Sequence, residues 1–163
     1  MNKLIHIALT LIAACTLLAA CNNGGCYENG SSLPLASFYV GPKQATVTGL
    51  TVMGIGVPGD SLLADNAAMK EMYLPLRANA TTTSYHIGRW VTINNVRTEL
   101  KDTITFEYEA VPFFHSEECG AMYNFDIRGL HHTTRGIDSI VMITNTITNL
   151  PAPSMKIYFT DFQ

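Results

Sequence analysis

The chain has 163 residues, 47% of them hydrophobic and 14% charged, with ten basic and thirteen acidic side chains. That length suits one domain. The mildly acidic balance gives no electrostatic support to a nucleic-acid partner or an anionic membrane surface.

In chain order the first segment is an address. Lys3 supplies a positive start, Leu4 to Leu18 form an apolar stretch too short for a permanent membrane helix, and Leu18-Ala19-Ala20 runs into Cys21. Small residues before a cleavage point make this a secretory signal. With a cysteine at the cut, it resembles a bacterial lipobox, in which Cys21 is diacylated before cleavage and then N-acylated. Residues 1–20 are therefore expected to be removed, leaving 143 with nine basic and thirteen acidic side chains. No later stretch approaches the ~20 apolar residues of a membrane span. Attachment is expected through lipid on Cys21, since several acyl chains anchor stably where one is marginal. Asn22-Asn23 is not an obvious inner-membrane retention signal, which points to the outer membrane.

Cys15 leaves with the signal and Cys21 takes lipid, so Cys26 and Cys119 remain. Two thiols in an exported chain read as one disulfide in an oxidising compartment. Closing a loop of about 94 residues contributes roughly 4–5 kcal/mol in the chain-entropy account. Two free thiols are the alternative; zinc would need paired C-x-x-C spacing. Residues 21–32 are small and polar and read as a lipidated flexible tether, with a single β-rich domain over 33–163.

The strand signals follow. Leu33 to Val40 is a short β-prone run, and Gln44 to Val57 is rich in Thr, Val and Ile before a turn at Pro58-Gly59-Asp60. Leu62 to Glu71 has helical character through Ala64, Ala67, Ala68 and Met69. Met72 to Leu76 is an edge strand or strand end, because Pro75 cannot donate to a ladder. Thr81 to Ile87 and Arg89 to Arg97 pair around Gly88 or form one bent strand. From Thr103 to Glu109 the alternation is clearest: Ile104, Phe106 and Tyr108 share one face, and Thr103, Thr105, Glu107 and Glu109 the other. Tyr123, Phe125 and Ile127 repeat it. Ile137 to Ile147 is a β-branched run, and Met155, Ile157 and Phe159 share a face of the last strand. The pattern predicts an all-β fold: an antiparallel β-sandwich, Ig-like or an open barrel, of about eight strands with at most one short helical turn.

Several landmarks come in a familiar order: the lipobox, Leu-Pro-Leu-Ala-Ser-Phe-Tyr at 33–39, Val-Met-Gly-Ile-Gly at 52–56 and Asp60-Ser61-Leu62-Leu63. Leu74-Pro75-Leu76, Cys119-Gly120 and Met155-Lys156-Ile157-Tyr158-Phe159 complete them. Together they resemble a family of small uncharacterised lipoproteins from Bacteroidetes-type Gram-negative bacteria. The resemblance implies an outer-membrane-associated β-rich lipoprotein and no assigned activity.

Candidate chemistry is sparse. Gly54-Ile55-Gly56-Val57-Pro58-Gly59 matches G-x-G-x-x-G, but a dinucleotide site needs a helix N-terminus in a βαβ unit, and Pro58 removes an amide donor. His131 and His132 are adjacent and would point to opposite faces of a strand. His115, Glu117 and Glu118 beside Cys119 form a polar cluster that reads first as a solvated loop. Neither H-E-x-x-H nor G-x-S-x-G is present. Glu107 and Glu109 lie on an outward strand face, where carboxylates keep a sheet soluble; glycosidase carboxylates face each other across a cleft. The single tryptophan, Trp90, reads as a core residue before a glycan-stacking one. Asp60-Ser61-Leu62, Asp102-Thr103-Ile104 and Asp138-Ser139-Ile140 are similar to the Asp-Ser/Thr-apolar acceptor of Bacteroidetes O-glycosylation, which makes Ser61, Thr103 and Ser139 candidates; Asp-Ser/Thr pairs also simply favour turns.

These readings leave no catalytic residue, no metal site and no cofactor. They point to a lipid-anchored envelope protein acting as a non-enzymatic binding or structural accessory. Its expected partners are the membrane, through Cys21, and a protein or glycan, with no nucleic acid. The alternatives are a small envelope hydrolase built on His115–Cys119 and a glycan-binding protein using Trp90.

Overall fold

A computed structural model describes residues 32–56, 61–117 and 119–162. The lipobox, Cys21, Cys26 and the expected turn at Pro58-Gly59-Asp60 lie outside these residues. Eleven strands and no helix make up the described chain: β1 Leu35–Val40, β2 Lys43–Gln44, β3 Val47–Ile55, β4 Leu62–Met69, β5 Glu71–Tyr73, β6 Thr82–Ile93, β7 Val96–Ser116, β8 Gly120–His132, β9 Ile137–Met142, β10 Thr146–Ile147 and β11 Met155–Phe159. Three of them, β2, β5 and β10, have only two or three residues. Of the other eight, all but β4 fall in segments that the sequence reads as strands.

They form two sheets. One runs β2-β1-β11-β9, with β5 also on β1; the other runs β10-β8-β7-β6-β3-β4. Every pair is antiparallel except β1 with β11, which run parallel with Phe38 opposite Ile157. The expected sandwich is therefore all-β but mixed. The chain's first and last strands lie side by side in one sheet, a pairing that local alternation cannot reveal.

Both sheets supply the core. Phe38, Met155, Ile157 and Phe159 come from the first; Leu50, Val52, Tyr85, Ile87, Ile104, Phe106, Tyr108, Phe125 and Ile127 come from the second. Aromatic rings meet edge to face at Phe38–Phe159, 5.5 Å between centroids, and at Tyr108–Phe125, 5.4 Å. Each fully buried large side chain contributes about 1.5–3 kcal/mol, more in the aromatic pairs. Ile104, Phe106 and Tyr108 are buried as the alternation requires, and so are Met155, Ile157 and Phe159. Tyr123 departs from the pattern: it is 41% exposed although Phe125 and Ile127 are buried.

Two local expectations are corrected. Leu62 to Met69 is strand β4, paired to β3 through register shifts. Asn66 has φ 44°, outside the right-handed helical region, and its amide donates to Thr51 Oγ1 at 3.2 Å. Pairing with the open edge of β3 outweighs the modest helical preference of three alanines. Of the two readings of residues 81–97, the hairpin around Gly88 fails and the single strand holds as far as Ile93, with Gly88 inside β6. The chain turns from β6 to β7 at Asn94-Asn95, with φ 51° and 62°, the doubly positive φ of a type I′ turn, which asparagine tolerates.

The long hairpin β7–β8 extends beyond its neighbours. β6 accompanies β7 only up to Glu107, and β10 meets β8 only at Phe125 and Asp126. Residues 111–124 thus form a two-stranded arm, with Phe114 70% exposed at its end.

Candidate functional site

The outward face of the larger sheet carries a hollow of about 420 Å³, lined by Thr51, Met53, His86, Gly88, Glu99, Lys101, Thr103, Thr133 and Arg135. Strand register explains it. Thr51, Gly88 and Lys101 form one cross-strand row over β3, β6 and β7; Met53, His86 and Thr103 form the next. The centre of the first row is a glycine, so the sheet surface dips there. A Cβ at Gly88 would lie 2.9 Å from Glu99 Oε1, so the Glu99 carboxylate leans across the space a side chain would fill. Glu99 Oε2 is 2.9 Å from Lys101 Nζ, and the lysine head is largely exposed, so this pair contributes little to stability.

A buried carboxylate fixes the rim. Asp102, 2% exposed, shares the inward face of β7 with Ile104 and Phe106. Its Oδ1 accepts from Thr133 Oγ1 at 2.6 Å and from Arg135 N at 2.7 Å; its Oδ2 accepts from Gly136 N at 2.6 Å and Ile137 N at 2.9 Å. Four donors, three of them backbone amides, satisfy the buried charge. They pin the corner where the chain leaves the larger sheet for β9. Thr133 Oγ1 also accepts from Thr103 N, and Thr133 N donates to Thr103 O. Thr133 and Arg135 therefore enter the hollow from a backbone held on its far side.

His86 Nδ1 lies 3.3 Å from Thr103 Oγ1, the one contact here between a base and a hydroxyl. A working nucleophile needs a third group to orient the imidazole. The nearest carboxylates are engaged elsewhere, Asp102 on the 133–137 corner and Glu99 on Lys101. What the arrangement offers is mixed polarity: hydroxyls, one carboxylate, two cations and the apolar flank of Met53.

Trp90 stands on this same outward face, half-buried and not in the core, with the Arg97 guanidinium 4.5 Å from its ring centroid. Gly49 admits it: a Cβ there would meet Trp90 O at 3.0 Å. On the inward side its neighbour Arg89 donates to Thr160 O at 2.8 Å and lies near the Phe159 and Phe162 rings. Burial holds that guanidinium below its ordinary range, with Asp161 opposing.

The other sequence candidates scatter. Ser61 and Ser139 are exposed, and Thr103 is half-buried in the hollow. Cys119 sits in the β7–β8 turn, its amide donating to Ser116 Oγ. His115 packs its ring on Phe113, Glu117 is exposed, and Glu118 lies outside the described residues. Among the described residues no three His, Cys, Asp or Glu side chains gather as metal ligands. Glu107 faces His131 at 3.6 Å and Glu109 pairs with Arg128 at 2.8 Å, both on the outward face. The G-x-G-x-x-G glycines Gly54 and Gly56 end a strand that leads to an antiparallel partner, β4, so no βαβ crossover is there to hold a pyrophosphate.

Sequence reading missed the hollow and Asp102. For Asp102 a signal existed: counting back in twos from Phe106 puts a charge on the inward face. The hollow needed strand register, which aligns Gly88 with Thr51 and Lys101.

The sequence pattern of a family of unknown function (DUF6452) matches residues 49–159. That stretch runs from within β3 to the end of β11 and holds every residue that lines the hollow. No curated protein and no solved structure matches the chain.

Proposed function

The chain belongs to this family of unknown function, and from that premise we propose that it is a lipid-anchored binding domain of the cell envelope, without catalysis of its own. The hollow around Gly88 carries the binding reading. Its volume and its few polar groups on rigid strands are those of small-molecule and glycan sites. Among the described residues the nearest carboxylates, Asp102 and Glu99, are engaged elsewhere, which weighs against acyl transfer at His86 and Thr103. Among the described residues no three His, Cys, Asp or Glu side chains gather at the arm as metal ligands, which weighs against a metal-dependent hydrolase there.

The anchoring reading rests on the lipobox at Leu18–Cys21, with Asn22-Asn23 favouring the outer membrane. Ser32, the first described residue, donates from its Oγ to Asn124 Oδ1 of the arm at 2.9 Å. Cys119 would pair with Cys26 in the oxidising envelope, as the two cysteines left after signal removal and lipidation. Ser61 and Ser139 are exposed enough to accept a glycan; Thr103 is less so.

Two measurements test this. Cys21→Ala should move the protein from the membrane to the soluble fraction and abolish labelling by palmitate; a variant that stays with the membrane overturns the anchor. Full-length protein in detergent, applied to a glycan array, should give signals that Gly88→Val removes. Signals that persist unchanged in the variant would place binding elsewhere.

A further inference from the structure

The hollow's chemistry narrows its ligand. We propose that it takes a single sugar ring bearing a carboxylate, a uronic acid, either free or as one residue of a polyuronate. This inference rests on the reading of the hollow as a binding site and adds the ligand class.

Size sets the first limit. About 420 Å³ lies at the small end of ligand sites, which run from roughly 300 to 1,000 Å³, and suits one pyranose ring. The lining sets the second. Thr51, Thr103 and Thr133 present hydroxyls that both donate and accept, and Glu99 presents an acceptor-only carboxylate. Together they match the alternating donors and acceptors of a polyol. Met53 gives an apolar surface for ring C–H groups. Gly88 gives the Glu99 carboxylate the room to lean over the sheet, where a side chain at position 88 would displace it.

Charge sets the third. Lys101 and Arg135 bring two cations against one carboxylate, Glu99, which already lies 2.9 Å from Lys101. One positive charge is left over, carried by Arg135, whose backbone Asp102 pins. A guanidinium carried on a pinned backbone suits bidentate recognition of a carboxylate. A phosphate dianion would exceed that single charge and meet Glu99 as a repulsive neighbour. The ring's acid group therefore goes to Arg135, and its hydroxyls go to Glu99 and the threonines.

The test titrates full-length protein in detergent with D-glucuronate, D-glucose, inorganic phosphate and a galacturonate oligomer, following Trp90 fluorescence and amide shifts. Glucuronate should saturate, with glucose and phosphate at least about tenfold weaker, the size of one charge-assisted contact. Arg135→Ala should remove that preference over glucose. Gly88→Ala should abolish binding while circular dichroism stays unchanged, because the methyl group's one close contact is the flexible end of Glu99, with Thr51 at ordinary van der Waals distance. Gly129→Ala, where a Cβ meets Glu107 instead at 2.8 Å, should bind as the parent does. A tighter oligomer identifies a polymer-borne residue; equal affinity identifies the free acid, and both uphold the ligand class. Glucose or phosphate binding as well as glucuronate would overturn the ligand class and leave the hollow as a site. Glucuronate binding indifferent to Gly88→Ala, or no saturable binding of any probe, would overturn both.

Discussion

The β7–β8 hairpin is one continuous ladder with two different fates. In its lower part Ile104, Phe106 and Tyr108 point inward and are buried; in its upper part Pro112 and Phe114 continue the same face and are exposed. The backbone pairing is alike in both, so the ladder does not decide burial. What differs is cover: up to Ala110 the hairpin is flanked by β6, which pairs β7 as far as Glu107, and by β10, which pairs β8 at Phe125 and Asp126, with the second sheet beneath it; from Val111 on, only the two strands pair. Alternation makes a face apolar, and a partner layer makes it core.

Four substitutions break or sharpen this contrast. Phe106→Ala, in the lower part, should destabilise by about 3–5 kcal/mol, the usual cost of emptying a packed aromatic site, measured by urea unfolding. Asp102→Ala should cost about 3 kcal/mol, because it strands the Gly136 and Ile137 amides without an acceptor; hydrogen exchange should quicken at those two amides first. Tyr85→Phe should cost about 1 kcal/mol at neutral pH by removing the hydrogen bond to the Pro75 carbonyl. Its pH dependence is more telling. Burial pushes the Tyr85 phenol above its ordinary range, Tyr108 adds to this and Arg77 opposes it. A raised folded pKa means that the unfolded chain ionises first. The parent's stability should therefore be full below about pH 10, the free phenol value, and fall above it. The Tyr85→Phe variant should give a flatter curve over that alkaline range. Phe114→Ala, on the arm, should change stability by no more than about 0.5 kcal/mol, as exposed substitutions do. A loss there as large as at Phe106 would show that the arm's face is covered after all.

The sequence made the lower hairpin legible because period two at residues 103–109 coincides with a covered face. It misled at Tyr123, where the same period continues past the cover. It misled again at residues 62–69, where alanines suggested helix and an open strand edge prevailed. The turn at Asn94-Asn95 was readable from two residues that tolerate positive φ, yet Gly88 drew attention because glycine is the stronger turn marker. Gly88 instead serves the surface, as the missing side chain in a row. Which residues share that row depends on register, set by the hairpin turn and by the inward pattern of both strands.

The parallel pairing of β1 with β11 has a consequence for timing. Ala36 meets Met155 and Val40 meets Phe159, so the chain's earliest strand waits for its last. Such a long closure is slow and costly in entropy. The larger sheet can assemble from sequential hairpins, β3 to β4 and β6 to β8, while the smaller one stays open until the final strand arrives. A chain shortened by its last ten residues would lose Ser154 and the whole of β11, leaving β1 with an unpaired edge and Phe38 without the ring of Phe159. Completion of the smaller sheet is thereby tied to the arrival of β11.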